Sequence, residues 1–222
     1  MTDTPPPFPI LFEDGEALVI DKPAGLPLDQ PRAGGESLDD HLDDLRLGFQ
    51  RAPLPVHRLD RDTSGCLLLA RNPKALKRFA AAFEAREVEK RYLGIVAGLL
   101  DADEGTISLS LSKISSAEKG WRMIAARKGK PAVTHWRKLQ VNGGHTLVEF
   151  RPETGRTHQI RVHAASGLGA PLVGDPVYGT GKGAARTMLH AAGLTVPREG
   201  KPPIVATAPL PADFVALGFS DG

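Results

Sequence analysis

The run Gly65-Cys66-Leu67-Leu68-Leu69-Ala70 holds six consecutive residues without a polar side chain and is bounded by polar residues at both ends. A run of that length predicts a central strand covered on both faces. Directly before it comes the densest polar stretch of the chain, His57-Arg58-Leu59-Asp60-Arg61-Asp62-Thr63-Ser64. Any fold must therefore feed a carboxylate flanked by two arginines into its most buried strand. Aromatic residues make up only 5% of the chain, so the core around that strand has to rest on Leu, Val, Ile and Ala.

The neighbouring patterns supply partners for this strand. Ala17-Leu18-Val19-Ile20 reads as a short buried strand ending at Asp21-Lys22-Pro23-Ala24-Gly25, where Pro and Gly impose a turn. Ser37 can cap a helix with Leu38, Leu42 and Leu45 on one face and Asp39 and Asp40 near its positive end. Asn72-Pro73 gives a cap followed by Pro at the first helical position. Leu76, Phe79, Ala80 and Phe83 then fall at i, i+3, i+4 and i+7, which predicts an amphipathic helix over 73–87. Tyr92–Val96 is a further strand, stopped near Gly98.

Residues 121–150 read as strands broken at Gly129-Lys130-Pro131 and at Asn142-Gly143-Gly144. The second break is a hairpin signal between Thr134–Val141 and Thr146–Phe150. A short helix over 157–166 closed by Gly167 and strands at Thr187–Leu189 and Ile204–Thr207 complete the pattern. The Pro-rich residues 1–9 are expected to be flexible. No Pro- or Ser-rich linker divides the remainder, so residues 10–222 read as one α+β domain around a mixed, largely antiparallel sheet.

Two clusters could carry chemistry. In the first, the arginines beside Asp60 favour its ionised form, which a nucleophile or base needs; a loop held by salt bridges and side-chain caps explains the same residues. The second is Arg151-Pro152-Glu153-Thr154-Gly155-Arg156-Thr157-His158-Gln159-Ile160-Arg161-Val162-His163. On a helix, Thr157 and Arg161 share a face. His158 and His163 are five apart, which disfavours a metal pair on one helix face, and Cys66 has no Cys-x-x-Cys partner. Hydrogen bonds that fix a turn account equally well for these histidines.

Taken together, the clusters resemble RluA-type RNA pseudouridine synthases. The stretch from His57 to Gly65 is similar to that family's signature, whose Asp, here Asp60, is the essential carboxylate. Glu89-Lys90-Arg91-Tyr92-Leu93-Gly94-Ile95-Val96-Ala97-Gly98 resembles its second motif, whose Tyr, here Tyr92, lies against the target base. Thr154 to His163 resembles the third, whose last Arg, here Arg161, pairs with the catalytic Asp. Val19 to Leu26, Gly174-Asp175-Pro176-Val177-Tyr178-Gly179 and Leu189-His190-Ala191 fit further family segments. The likeness spans roughly residues 10–215. It implies the pseudouridine synthase fold, with a long, bent, mostly antiparallel sheet flanked by helices and an RNA cleft across it, and no separate S4-type domain. It further implies uridine isomerisation in structured transfer or ribosomal RNA by base flipping, with Arg58, His57, Arg61, Thr157 and His158 near the nucleotide.

Charge distribution is compatible with that partner. Residues 1–50 carry 3 basic and 11 acidic side chains, whereas residues 113–138 carry 8 basic and one acidic. Lys119, Arg122, Arg127, Lys128 and Lys130 in the second region are candidates for phosphate contacts, although a solvated basic loop has the same composition. Trp121 among them can stack on a base or pack. No Walker loop or dinucleotide-binding glycine pattern is present, and no cofactor or metal is expected. With one cysteine and no secretory or membrane-spanning pattern, a cytoplasmic monomer is expected. A catalytically silent RNA-binding protein of the same fold is the alternative from another class.

Overall fold

A computed structural model of the chain describes residues 5–116 and 120–220. Its strands are β1 (Ile10–Glu13), β2 (Ala17–Lys22), β3 (Leu54–Pro55), β4 (Ser64–Ala70), β5 (Glu89–Ala97), β6 (Glu104–Ser116), β7 (Gly120–Ala125), β8 (Lys130–Asn142), β9 (His145–Pro152), β10 (Leu189–Val196) and β11 (Ile204–Thr207). Its α-helices are α1 (Pro73–Glu84), α2 (Gln159–Val162) and α3 (Ala212–Ala216). These elements form two compact units, one of Met1–Glu89 with Ala191–Pro209, the other of Lys90–His190 with Leu210–Gly222.

In the first unit the strand order is β1-β2-β4-β10, with β3 against β4 and β11 against β10. The β1–β2, β2–β4, β3–β4 and β10–β11 pairings are antiparallel. β4 is the apolar run read from the sequence, and all seven of its residues are buried. One of its faces meets α1: Cys66, Leu68 and Ala70 pack with Ala75, Phe79 and Ala82. The Asn72 side chain accepts from the Ala75 N–H at 2.9 Å and starts that helix. The helix stops at Glu84, and its buried stripe runs through Ala75, Phe79 and Ala82, leaving Ala80 exposed.

The helix expected after Ser37 is instead two 3-10 turns, Leu38–His41 and Asp44–Arg46, with Leu38 and Leu45 buried. Aspartates at 39, 40, 43 and 44 are poor helix formers because their carboxylates compete for nearby backbone N–H groups. Asp40 at the third position accepts from the Ser37 N–H at 2.9 Å as part of a capping box, so the turn starts at Ser37 as expected but does not propagate into an α-helix. Packing contacts start before residue 10: Phe8 is buried edge-on to His41, and the Pro9 carbonyl accepts from the Asp21 N–H at 2.9 Å.

The second unit is an antiparallel array in the order β5-β9-β8-β6-β7. The turn between β8 and β9 is the two-residue Gly143-Gly144, both at positive φ as a type I′ hairpin requires. β6 was not expected, and its 13 residues pair with both β7 and β8. Its sequence alternates Ile107, Leu109 and Leu111 with Ser108, Ser110 and Ser112, the period-2 signature of a half-buried strand. β10 runs Leu189–Val196 rather than ending at 189. Across β5, β8 and β9, buried Glu149 accepts from Arg91 Nε at 2.6 Å and Arg151 Nε at 2.8 Å, with Arg137 Nη2 at 3.5 Å. Burial pushes the Glu149 carboxyl up, but the bonds from Arg151 and Arg91 outweigh it and hold the group below its ordinary range.

Gly65 opens the fully buried strand at φ +106°, and a Cβ there would overlap the Ala191 carbonyl. Gly65→Ala is therefore expected to cost about 2 kcal/mol or more, read as a lowered urea midpoint with an unchanged m-value.

Candidate active site

In the first unit, Asp60 is half-buried on the loop between β3 and β4. Its carbonyl accepts from the Thr63 N–H at 3.1 Å, closing a tight turn over Arg61 and Asp62. The next carbonyl, Arg61 O, accepts from the Gly25 N–H at 2.9 Å and from Lys22 Nζ at 3.0 Å. Lys22 is fully buried, and its ammonium also donates to Pro23 O at 2.7 Å and Leu26 O at 2.9 Å. Three donors thus meet three carbonyls, which replaces the water that burial removes. The Arg61 side chain returns the contact, Nε donating to Gly25 O at 3.1 Å. The turn after β2 and the loop before β4 are laced together, with Asp60 beside the knot.

Of the other residues expected at this end, Arg58 is exposed and Arg61 has an exposed guanidinium anchored at Gly25. His57 is committed to the protein: its ring stacks on Phe83 at 4.7 Å and its Nε2 accepts from the Leu68 N–H at 3.0 Å. A ring nitrogen that accepts carries no proton, so the Nδ1–H tautomer is present there.

In the second unit, Tyr92 lies half-buried on β5 and packs on the cluster of Val96, Val148, Phe150 and Ile160. Arg161 stands on α2, which has only four residues and continues into a π-helical turn, His163–Gly167. Thr157 precedes α2, so the helical face expected to carry it with Arg161 does not form. The segment is pinned instead by Gln159. Its Nε2 donates to Val133 O and Thr134 Oγ1, both at 2.9 Å, while its Oε1 accepts from Thr154 Oγ1 at 2.7 Å and the Arg156 N–H at 3.0 Å.

Arg161 is 8% exposed, and Asp175 beside it is fully buried. Arg161 Nε donates to Asp175 Oδ2 at 2.7 Å and Nη2 to Oδ1 at 2.8 Å, a two-point fork. Asp175 Oδ1 accepts further from the N–H groups of Val177 at 2.9 Å and Tyr178 at 3.1 Å. Burial raises the Asp175 carboxyl, but the bonds and charge of Arg161, with those two N–H groups, prevail and hold it below its ordinary value. The Tyr178 ring lies 5.1 Å from the Arg161 guanidinium carbon. Its hydroxyl accepts from the Met123 N–H at 2.9 Å and bonds His158 Nδ1 at 2.8 Å. His158, at φ +53°, in turn stacks on Trp121 at 4.9 Å.

The structure thus brings Arg161, Asp175, Tyr178, His158 and Trp121 into one chain of contacts. Asp175, Tyr178, Gln159 and Lys22 are the residues whose parts the sequence did not disclose, although an Asp before Pro marks a side-chain-capped turn. Trp121 remains 48% exposed, with Lys113 Nζ 5.1 Å from its ring. Arg122 follows on β7, Arg127 and Lys128 are exposed in the next turn, and Lys130 opens β8. Lys119 lies outside the described residues. Among the described residues, no three His, Cys, Asp or Glu side chains are grouped to hold a metal ion, and no helix is long and apolar enough to cross a membrane.

Residues 16–166 match the RNA pseudouridylate synthase family, and the chain belongs to that family. It is accordingly an isomerase, an RNA pseudouridine synthase. It is 57% identical to an uncharacterized RNA pseudouridine synthase of Zymomonas mobilis over 95% of this chain and 97% of that one. It is 40% identical to ribosomal large subunit pseudouridine synthase D of Xanthomonas campestris over 95% of this chain and 68% of that one. Among solved structures, human RNA pseudouridylate synthase domain containing 4 superposes with a TM-score of 0.77 at 26% identity, covering 93% of this chain and 90% of that one. Human RNA pseudouridylate synthase domain containing 1 gives 0.76 at 30% identity over 93% and 84%. The α+β pseudouridine synthase fold is therefore present.

Two residues beyond Arg161, His163 is fully buried and burial lowers its pKa to about 4 from an ordinary 6.5. Below pH 6.5 the unfolded chain takes up a proton that the folded chain refuses, so stability falls as pH drops from about 6.5 to 4. A difference of that size is worth about 3 kcal/mol. Urea unfolding at pH 7 and pH 4 is expected to show that extra acid loss in the wild type and not in His163→Leu.

Proposed function

We propose that this enzyme converts specific uridines of structured RNA to pseudouridine, with Asp60 as the ionised carboxylate that initiates the reaction. The C1′–N1 bond breaks, the uracil rotates and a C1′–C5 bond forms; the hydrogen at C5 leaves as a proton and N1 gains one. The target base has to leave its stack first, at a cost of a few kcal/mol. In this reading Arg161 supplies the guanidinium that keeps the carboxylate charged and oriented. Tyr92 offers a ring face to the flipped uracil and a phenol for the C5 proton. Both units work as one catalytic domain, a cytoplasmic monomer that needs no cofactor.

The observation that carries the reading is the position of Asp60 within this family's chain. It is a half-buried carboxylate on a loop knotted to β2 through Lys22 and Arg61. Relatives named for the ribosomal large subunit make ribosomal RNA the first substrate to test, with transfer RNA beside it. Asp60→Asn keeps the side chain's shape and removes its charge. Tritium release from [5-3H]uridine-labelled RNA is expected to fall by on the order of 10⁴-fold or more, with RNA affinity retained within about threefold. Turnover surviving in the purified variant would sink the assignment.

The exposed cations Lys113, Arg127, Lys128 and Lys130, with half-buried Arg122 between them on β7, are assigned to RNA phosphates. Reversing two of them, Arg127→Glu with Lys128→Glu, is expected to flatten the slope of log affinity against log salt by about 1.4–1.8. Filter binding between 50 and 300 mM KCl reads that slope, and an unchanged value removes the patch from the interface.

A further inference from the structure

We propose that Asp175 is a positioning residue for the isomerisation, acting through the guanidinium of Arg161; this rests on the role given to Arg161 above. An arginine side chain has four rotatable bonds, and α2, four residues long, gives it little support of its own. Asp175 supplies what the helix lacks. Its two oxygens take the Nε and Nη2 hydrogens at 2.7 and 2.8 Å, which fixes the plane of the guanidinium as well as its place. The Tyr178 ring at 5.1 Å bounds the group from another side.

The carboxylate is itself held by the surrounding backbone. Oδ1 is bound by the Val177 and Tyr178 N–H groups, and the Asp175 carbonyl accepts from the N–H groups of Gly179 at 3.2 Å and Gly181 at 2.9 Å. The preceding Gly174 sits at φ +74°, where a Cβ would overlap the Arg186 carbonyl, so the turn packs closer to its neighbour than any residue with a side chain would allow. The pair also selects direction. With the Nε edge committed to Asp175, any further partner of Arg161 is met through Nη1 or the second Nη2 hydrogen. A misplacement of about 1 Å at a reacting group can cost about 10²-fold in rate, and that is the error Asp175 prevents.

Single-turnover tritium release, with enzyme in excess over [5-3H]uridine-labelled total RNA from cells lacking this gene, tests the proposal. Asp175→Asn and Asp175→Glu are each expected to slow the rate by about 10²-fold while changing RNA affinity less than about threefold. Adding Asp175→Asn to Arg161→Lys is expected to cost less than about threefold more, because both act on one guanidinium. A wild-type rate in Asp175→Asn overturns the proposal, and so does a full, independent loss on the Arg161→Lys background. Should Asp175→Asn fail to fold, Asp175→Glu decides: folded and slow supports positioning, whereas unfolded makes the residue purely structural and overturns it. A wild-type rate in Arg161→Lys overturns it by removing what Asp175 would position. No tritium release from the wild-type protein on any RNA instead fails the broader functional reading.

Discussion

A guanidinium taken into a protein interior keeps its charge, so a counter-charge has to be waiting where it comes to rest. Arg161 and Asp175 meet this requirement in the second unit, and much of the local structure follows from it. The acceptor must be fully buried and rigid, which calls for a turn with its carboxylate pointed inward and capped by its own backbone. Gly174, Pro176 and the N–H groups of Val177 and Tyr178 provide that turn. The same turn delivers Tyr178, whose hydroxyl ties β7 to His158. The ion pair thereby joins Gln159 in holding α2, and through Tyr178 it connects that helix to His158 and to the Trp121 ring stacked on it.

The first unit solves a related problem by different means. Its buried cation, Lys22, donates to three backbone carbonyls. An ammonium with three separable donors suits three carbonyls pointing from different directions, as a planar fork suits one carboxylate. Lys22 stitches two chain segments 39 residues apart, and Arg161 reaches a carboxylate 14 residues on. Glu149 inverts the pattern, one buried carboxylate gathering arginines from three strands.

These long-range bonds mark the boundary of what the sequence discloses. β4, α1 and the Gly143-Gly144 hairpin were legible because each rests on local chemistry: an unbroken apolar run, a cap with Pro, and two residues that tolerate positive φ. β6 carries an equally local signal in its alternating Ile, Leu and Ser residues, although half of those residues are polar. The segment after Ser37 went astray because apolar spacing outweighed four helix-disfavouring aspartates. Asp60, Tyr92 and Arg161 stand out as candidates through their motifs. The parts of Lys22 and Asp175 do not, since no spacing rule connects a residue to a partner brought near only by the folded chain.

Cys66 carries a practical consequence. The thiol lies inside β4, and burial first, then the nearby Asp21 charge, push its pKa up to about 12. Thiolate, the form that attacks maleimides and iodoacetamides, is therefore scarce there at neutral pH. Since the chain has no second cysteine, one new cysteine introduced on an exposed strand or turn becomes a unique handle for a fluorophore or spin label. The native residue can stay in place, and the protein's own surface becomes open to distance measurements without a cysteine-free background.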